Sequence, residues 1–211
     1  MNDIVLYYSP GACSRVTLAA METARMTYST HLVSVLAGQT GEPAYLKINP
    51  KGRVPALVWN GKLLTENPAI LRFIAERHPE AKLLPQTQDP LTQAINYSDL
   101  CWASSMLHPT VRQVARPGKW TTGDEAGVRK NGMETLTDIS KAIVARVGAG
   151  WWYGKDWSIM DAYTCWAYSV AVKGGFEITA TPGLGEYLDR CADAAPYRAA
   201  LAREERPDAR Q

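Results

Sequence analysis

At 211 residues the chain is long for one compact domain and comfortable for two that share an interface. Its 46% hydrophobic and 21% charged residues are those of a folded globular protein and exclude a disordered one. Lys and Arg number 23 against 21 Asp and Glu, a net charge of +2, which gives no electrostatic footprint for nucleic acid or a membrane surface.

The first residues, Met1-Asn2-Asp3-Ile4, carry no basic lead, and the apolar run after them breaks at Ser9-Pro10-Gly11, so no signal peptide is expected. No stretch approaches the ~20 apolar residues of a membrane helix, and a cytoplasmic location is expected. In chain order, Ile4 to Tyr8 is a short β-favouring run, and Ser14 to Arg25 turns helical, with Val16, Leu18, Ala19, Ala20 and Met21 on one face. Thr27 to Val35 reads as a second strand, 37–41 as a glycine-containing loop, and Glu42 to Ile48 as a short helix. Val54 to Trp59, then Asn60-Gly61, then Lys62 to Leu64 predicts a tight hairpin, because Asn-Gly suits the positive φ angles of a type I′ turn. Glu66 to Arg77 returns to helical periodicity.

This β-α-β-α-β-β-α order predicts one mixed sheet, its first two strands parallel and its last two antiparallel. The proline-rich segment that follows reads as a linker, giving a first domain over 1–79, a linker over 80–88 and an all-helical domain over 89–211. Within the last, Leu91 to Ala115 reads as one long helix that Pro109 should kink or interrupt. Further helices are expected over Glu125–Val147, Ser158–Val172, Leu184–Ala194 and Tyr197–Glu205. The third of these five is the most apolar, hence central.

Cysteines at 13, 101, 165 and 191 lack metal-site spacing, and with three histidines no metal centre is expected. Cys101, Cys165 and Cys191 sit in apolar helical patterns as packing residues. Cys13 differs. Tyr8-Ser9-Pro10-Gly11-Ala12-Cys13-Ser14 joins a strand end to a helix start, where unpaired backbone N–H groups and the helix dipole favour a thiolate. No second cysteine follows to resolve a disulfide, so a monothiol site is open; a packing Cys13 beside a capping Ser14 is equally open. A second element is Asn49-Pro50-Lys51-Gly52-Arg53-Val54-Pro55. A cis bond before Pro55 would turn the Val54 backbone outward to pair with an extended peptide. Thr65-Glu66-Asn67, where hairpin passes to helix, offers N–H groups suited to a carboxylate, or is a plain cap.

Together these motifs resemble the cytosolic glutathione transferase family, most closely its bacterial beta class, over nearly the whole chain. The resemblance implies a thioredoxin-like α/β N-terminal domain with a mixed four-stranded sheet, followed by an all-α C-terminal domain. It implies glutathione as co-substrate and no metal. Cys13 then lies near the glutathione sulfur, the 49–55 segment is the cis-proline loop with Val54 and Pro55, and Glu66-Asn67-Pro68-Ala69-Ile70 is the γ-glutamyl site. Ser14, a backbone N–H at that helix start, or as second choice Tyr8, would donate to the thiolate, or Cys13 would itself act by mixed disulfide. The class also has a histidine near His108 facing the glutathione sulfur; a lone histidine there is otherwise structural. Pro10, Trp102 and His108 would line the pocket for a small hydrophobic electrophile.

Two positions depart from the pattern. Residue 67 is Asn where the family usually has Ser or Thr, and 37–41 lacks a basic residue, leaving Gln39, helped by Arg53, for the glycyl end. Trp157 to Ala162 resembles the family's capping motif, and Ser158 with Asp161 is itself a capping-box spacing whose role is folding. The Trp151-Trp152-Tyr153 cluster is read as packing. The expected function is conjugation of glutathione in detoxification by a homodimer. The alternatives are thiol transfer, reduction, lysis or isomerisation through Cys13, and a relative that binds glutathione or a protein without turnover.

Overall fold

The computed structural model describes residues 3–206; the first two and last five residues, the outer ends of the two expected domains, lie outside the described residues. The first part runs β1 (Ile4–Tyr8), α1 (Ser14–Thr23), β2 (Ser29–Leu32), α2 (Pro43–Leu46), β3 (Ala56–Trp59), β4 (Lys62–Thr65) and α3 (Asn67–Arg77). The strands form a four-stranded sheet in the order β2-β1-β3-β4. β1 pairs parallel with β2, with Leu6 opposite Thr30, and antiparallel with β3, with Leu6 opposite Leu57. This is the mixed sheet that the element order predicts, in the thioredoxin-like form that the resemblance implies. Asn60 (φ 49°) and Gly61 (φ 77°) turn the β3–β4 hairpin in the left-handed region that the type I′ turn requires. β2 is shorter than Thr27 to Val35 because its register on β1 spans only Ser29 to Leu32.

The chain divides into two compact units, one reaching to Leu83 and taking in the last helix, the other spanning Leu84–Ala194. That last helix, α9 (Ala195–Glu205), is given to the helical domain by the sequence boundary at 89, whereas by its contacts it belongs to the first unit. The reason is a buried ion pair with α1: Arg15 donates from Nε and Nη2 to Glu204 Oε2 at 3.1 and 2.7 Å, and from Nη1 to the Tyr197 hydroxyl at 3.2 Å. The core of this unit is Leu6, Tyr8, Leu18, Met21, Leu57, Ile70, Leu71 and Ile74, all fully buried.

The second unit is helical: α4 (Pro90–Trp102), α5 (His108–Ala115), α6 (Glu125–Val147), α7 (Ile159–Lys173) and α8 (Leu184–Asp193). A π-helical stretch, Ala103–Leu107, separates α4 from α5. Pro109 is the physical cause: it cannot donate to the carbonyl four residues back, and the ladder widens instead of continuing as one helix. α7 is central, buried continuously from Ile159 to Tyr168. Cys165 and Cys191 are buried, while Cys101 is only half-buried. Among the described residues no helix is long and apolar enough to cross a membrane.

A capping box opens α7. The Asp161 carboxylate accepts from the Ser158 backbone N–H and hydroxyl, both at 2.8 Å, and from the Trp152 N–H and Tyr187 hydroxyl, also at 2.8 Å. One fully buried side chain thus ties the loop before α7 to α8. Asp161→Ala strands those donors and should lower stability by about 2–4 kcal/mol in urea denaturation; a wild-type midpoint would refute the capping account. In the first unit, Glu204→Gln leaves the Arg15 charge buried and unpaired, at an expected cost of roughly 3 kcal/mol. The double change Arg15→Met with Glu204→Leu should recover part of that loss in the same assay.

Candidate functional site

β1 ends fully buried at Tyr8, and the chain must turn into α1 within five residues. Ser14 closes the turn: its Oγ accepts from the Ser9 N–H and donates to the Ser9 carbonyl, both at 3.1 Å. The Ser9 hydroxyl accepts from Val35 N–H at 3.1 Å, and Gly11 N–H donates to Glu204 Oε2 at 3.2 Å. Cys13 emerges at the N-cap of α1, half-buried. The positive end of a helix dipole lies there, a setting that in general favours negative charge.

The second loop is organised by Asn49, which is fully buried. Its Nδ2 donates to the Arg53 carbonyl at 2.8 Å and its Oδ1 accepts from Lys51 N–H at 3.1 Å. The Tyr45 hydroxyl also donates to the Arg53 carbonyl, at 2.7 Å. The Val54–Pro55 bond that follows is cis. Cys13 Sγ lies 3.4 Å from the Val54 carbonyl and donates to it. At the third element, Glu66 has φ 71° and ψ 122°, a conformation a non-glycine residue holds only when its surroundings impose it. Its carboxylate accepts from Lys51 Nζ at 2.8 Å, the same ammonium that donates to Thr65 Oγ1 at 2.9 Å.

The structure therefore brings Cys13, Val54 and Pro55 together and sets Glu66 at the start of α3. Arg53 and Pro10 are exposed on their loops. Gln39 uses its carbonyl oxygen to accept from Ser34 N–H at 2.7 Å.

Three of the expected site residues engage their side chains within the first unit. Ser14 is 0% exposed and its single hydroxyl proton is engaged by Ser9, so it has none for a ligand sulfur. Tyr8 is equally buried and its hydroxyl faces the Glu204 carbonyl at 3.4 Å. Asn67 turns its side chain inward, accepting from Thr17 Oγ1 at 2.7 Å and donating to the Cys13 carbonyl at 3.0 Å, so the amide is not directed at a ligand carboxylate.

In the helical unit, Trp102 lines a cleft of about 410 Å³ with Asp99, Ala142, Ile143, Arg146 and Trp152. Asp99 accepts from Arg146 Nη2 at 2.8 Å and from the Trp152 indole at 3.0 Å. Trp152 packs within the unit, walls this cleft and bonds its carboxylate. Among the described residues no group of three or more His, Cys, Asp or Glu is placed to hold a metal ion. The roles of Asn49, Tyr45, Thr17 and Glu204 were not foreseen. Only Asn49 left a signal, since Asn before Pro-x-Gly marks a side chain that bonds its own loop.

His108 packs edge-on against Trp166, ring centroids 4.6 Å apart. Burial, reinforced by Arg112, pushes its pKa down from 6.5 to about 4. The folded protein thus holds a neutral imidazole. The stability this provides is fully present above the unfolded pKa of 6.5 and is lost as pH falls towards 4. Linkage puts that loss at roughly 3 kcal/mol. In His108→Gln the stability curve over that interval should flatten; a drop as steep as wild type would overturn the assignment.

Comparison with known proteins gives a consistent result. The sequence model of the glutathione S-transferase N-terminal domain matches residues 3–76. Maleylacetoacetate isomerase of Pseudomonas aeruginosa is 30% identical over 202 residues, spanning 92% of each chain. A glutathione transferase homologue from Sulfitobacter, solved with bound glutathione, is similar at a TM-score of 0.82 and 27% identity, over 96% of this chain and 98% of that one. A beta-class glutathione S-transferase of Sphingomonas chungbukensis matches at 0.79 and 29%, over 95% and 98%. With its motifs, its sheet and a full-length relative at that identity in agreement, the chain belongs to the glutathione S-transferase family.

Proposed function

We propose that the protein is a glutathione transferase of the beta class. Its first unit holds glutathione and activates the thiol for attack on a small hydrophobic electrophile. The observation that carries this reading is the Cys13 sulfur at the N-terminus of α1, within reach of the Val54 carbonyl. A peptide ligand extended along Val54 and Pro55 gains main-chain pairing there and brings its own sulfur towards the same helix end. The γ-glutamyl end goes to Glu66 and the backbone N–H of Asn67, and the glycyl end to Arg53 and the amide nitrogen of Gln39. With the hydroxyls of Ser14 and Tyr8 engaged within the unit, we assign the sulfur to Cys13 and the α1 N-terminus. Bound glutathione in the Sulfitobacter homologue supports this assignment.

His108 and Trp102 of the helical unit are residues we assign to the electrophile. A neutral His108 suits an apolar substrate. Leu91 and Ile95, 69% and 52% exposed and one turn apart on α4, support burial in a symmetric homodimer. A cytoplasmic role in detoxification completes the reading. A second reading, glutathione-dependent isomerisation or thiol transfer through Cys13, is favoured by the name of the Pseudomonas relative and by the cysteine itself.

Calorimetric titration with reduced glutathione tests the first unit, and conjugation to an aryl halide, followed by absorbance, tests the chemistry. A Kd of about 1 mM or tighter is expected, with turnover reduced at least about tenfold in Cys13→Ala. Wild-type protein that shows no binding well above that concentration overturns the transferase reading. Binding without turnover of aryl halides, epoxides or enones would leave a glutathione-binding relative.

A further inference from the structure

Position 67 opens α3 with a forked amide where the family usually carries a hydroxyl. That amide is 5% exposed and reaches in two directions. Oδ1 accepts from Thr17 Oγ1 at 2.7 Å, and Nδ2 donates to the Cys13 carbonyl at 3.0 Å. A Ser or Thr side chain is shorter and has donor and acceptor on one oxygen, so it does not make this two-armed bridge. The Cys13 carbonyl also accepts from Val16 N–H at 3.1 Å, closing the first turn of α1. Two donors therefore draw on the carbonyl nearest the thiol, and they hold the cap residue at the positive end of the helix.

We infer that Asn67 is a positioning residue for the Cys13 thiol: its amide braces the cap so that the sulfur stays in the field of α1. The inference rests on the reading of Cys13 as the reactive thiol of the proposed site. It departs from a role for this side chain at the ligand carboxylate, and the two roles predict opposite results for one substitution. Asn67→Ser restores the family's hydroxyl. If the side chain served the ligand, glutathione would bind as well or better and Cys13 would be unaffected. If it positions Cys13, the thiolate is less favoured and the cysteine reacts more slowly.

The test uses the full chain as wild type, Asn67→Ser and Asn67→Asp. Alkylation of Cys13 by iodoacetamide is followed across the titration range of a thiol by mass spectrometry of the Cys13 peptide, with thermal melts and glutathione titrations in parallel. At neutral pH Asn67→Ser should slow Cys13 alkylation about fivefold and move its pH profile upward. Asn67→Asp keeps an acceptor for Thr17 but sets a carboxylate oxygen against the Cys13 carbonyl, and should slow alkylation further. An Asn67→Ser profile that superimposes on wild type overturns the inference, and a changed Kd beside it assigns the amide to the ligand. Should the position 67 variants fail to fold, Thr17→Val removes one arm of the bridge. A smaller upward move is then expected, and an unmoved profile overturns the inference. Wild type that binds no glutathione defeats the proposed function, while the alkylation profiles still decide the role of Asn67.

Discussion

The corner between β1 and α1 has to convert a buried strand into a buried helix without leaving backbone polar groups unpaired, and much of the first unit is arranged around that requirement. Ser14 meets the Ser9 backbone, Ser9 reaches Val35 in the loop after β2, Glu204 comes from the last helix to meet Gly11, and Asn67 comes from α3 to meet Cys13. Four separate stretches of chain thus converge on a handful of residues. A thiol on such a corner is placed by its neighbours' hydrogen bonds as well as by its own contact with the Val54 carbonyl. Disturbing a residue far along the sequence is therefore a way to disturb Cys13.

The same requirement sorts the polar side chains into those that hold the corner and those left for a ligand. Ser14 and Tyr8 have chemistry suited to a sulfur, but each buries its hydroxyl against a backbone carbonyl. A buried donor taken from its acceptor leaves an unpaired group, so neither can be lent to a substrate cheaply. Charge is sorted likewise. Lys51 and Glu66 pair in the open, where an ion pair contributes little and either partner can turn to a ligand. Arg15 and Glu204 pair in the interior, where loss of one partner leaves the other charge stranded.

Local chemistry was legible in the sequence wherever a residue type has one dominant use. Asn60-Gly61 specifies its hairpin, Ser158 with Asp161 specifies its cap, and Glu125–Val147 forms over the span its pattern predicts. Orientation and distance were not legible. Tyr7 and Tyr8 are adjacent in a strand, so they face opposite sides, and nothing in the pair says which is buried. The partner of Arg15 lies 189 residues away, beyond any periodicity, and it moves α9 out of the domain to which its position assigns it. Pro109 announced an interruption, but not that the backbone would widen into a π-helical stretch. Asn67 read as a ligand group because its backbone setting was recognised and its rotamer was not.

The two units also differ in how they handle charge. In the first, helix N-termini at Cys13 and Asn67, with the exposed Arg53 and Lys51, make a surface suited to an anionic peptide and a thiolate. In the second, the ionisable groups set inward are answered internally, while others lie on its surface. Asp99 is closed by Arg146 and the Trp152 indole, Asp161 by the cap of α7 and Tyr187, and His108 is kept neutral by burial. What the helical unit presents beside these closed pairs is aromatic and aliphatic, with Trp102, Trp152 and Ile143 around one cleft. On the transferase reading, a chain built this way would separate the binding of a charged thiol from that of an apolar partner molecule. Selectivity for the electrophile would then follow from shape and apolar contact, while activation of sulfur would depend on the corner that Asn67 and Glu204 brace.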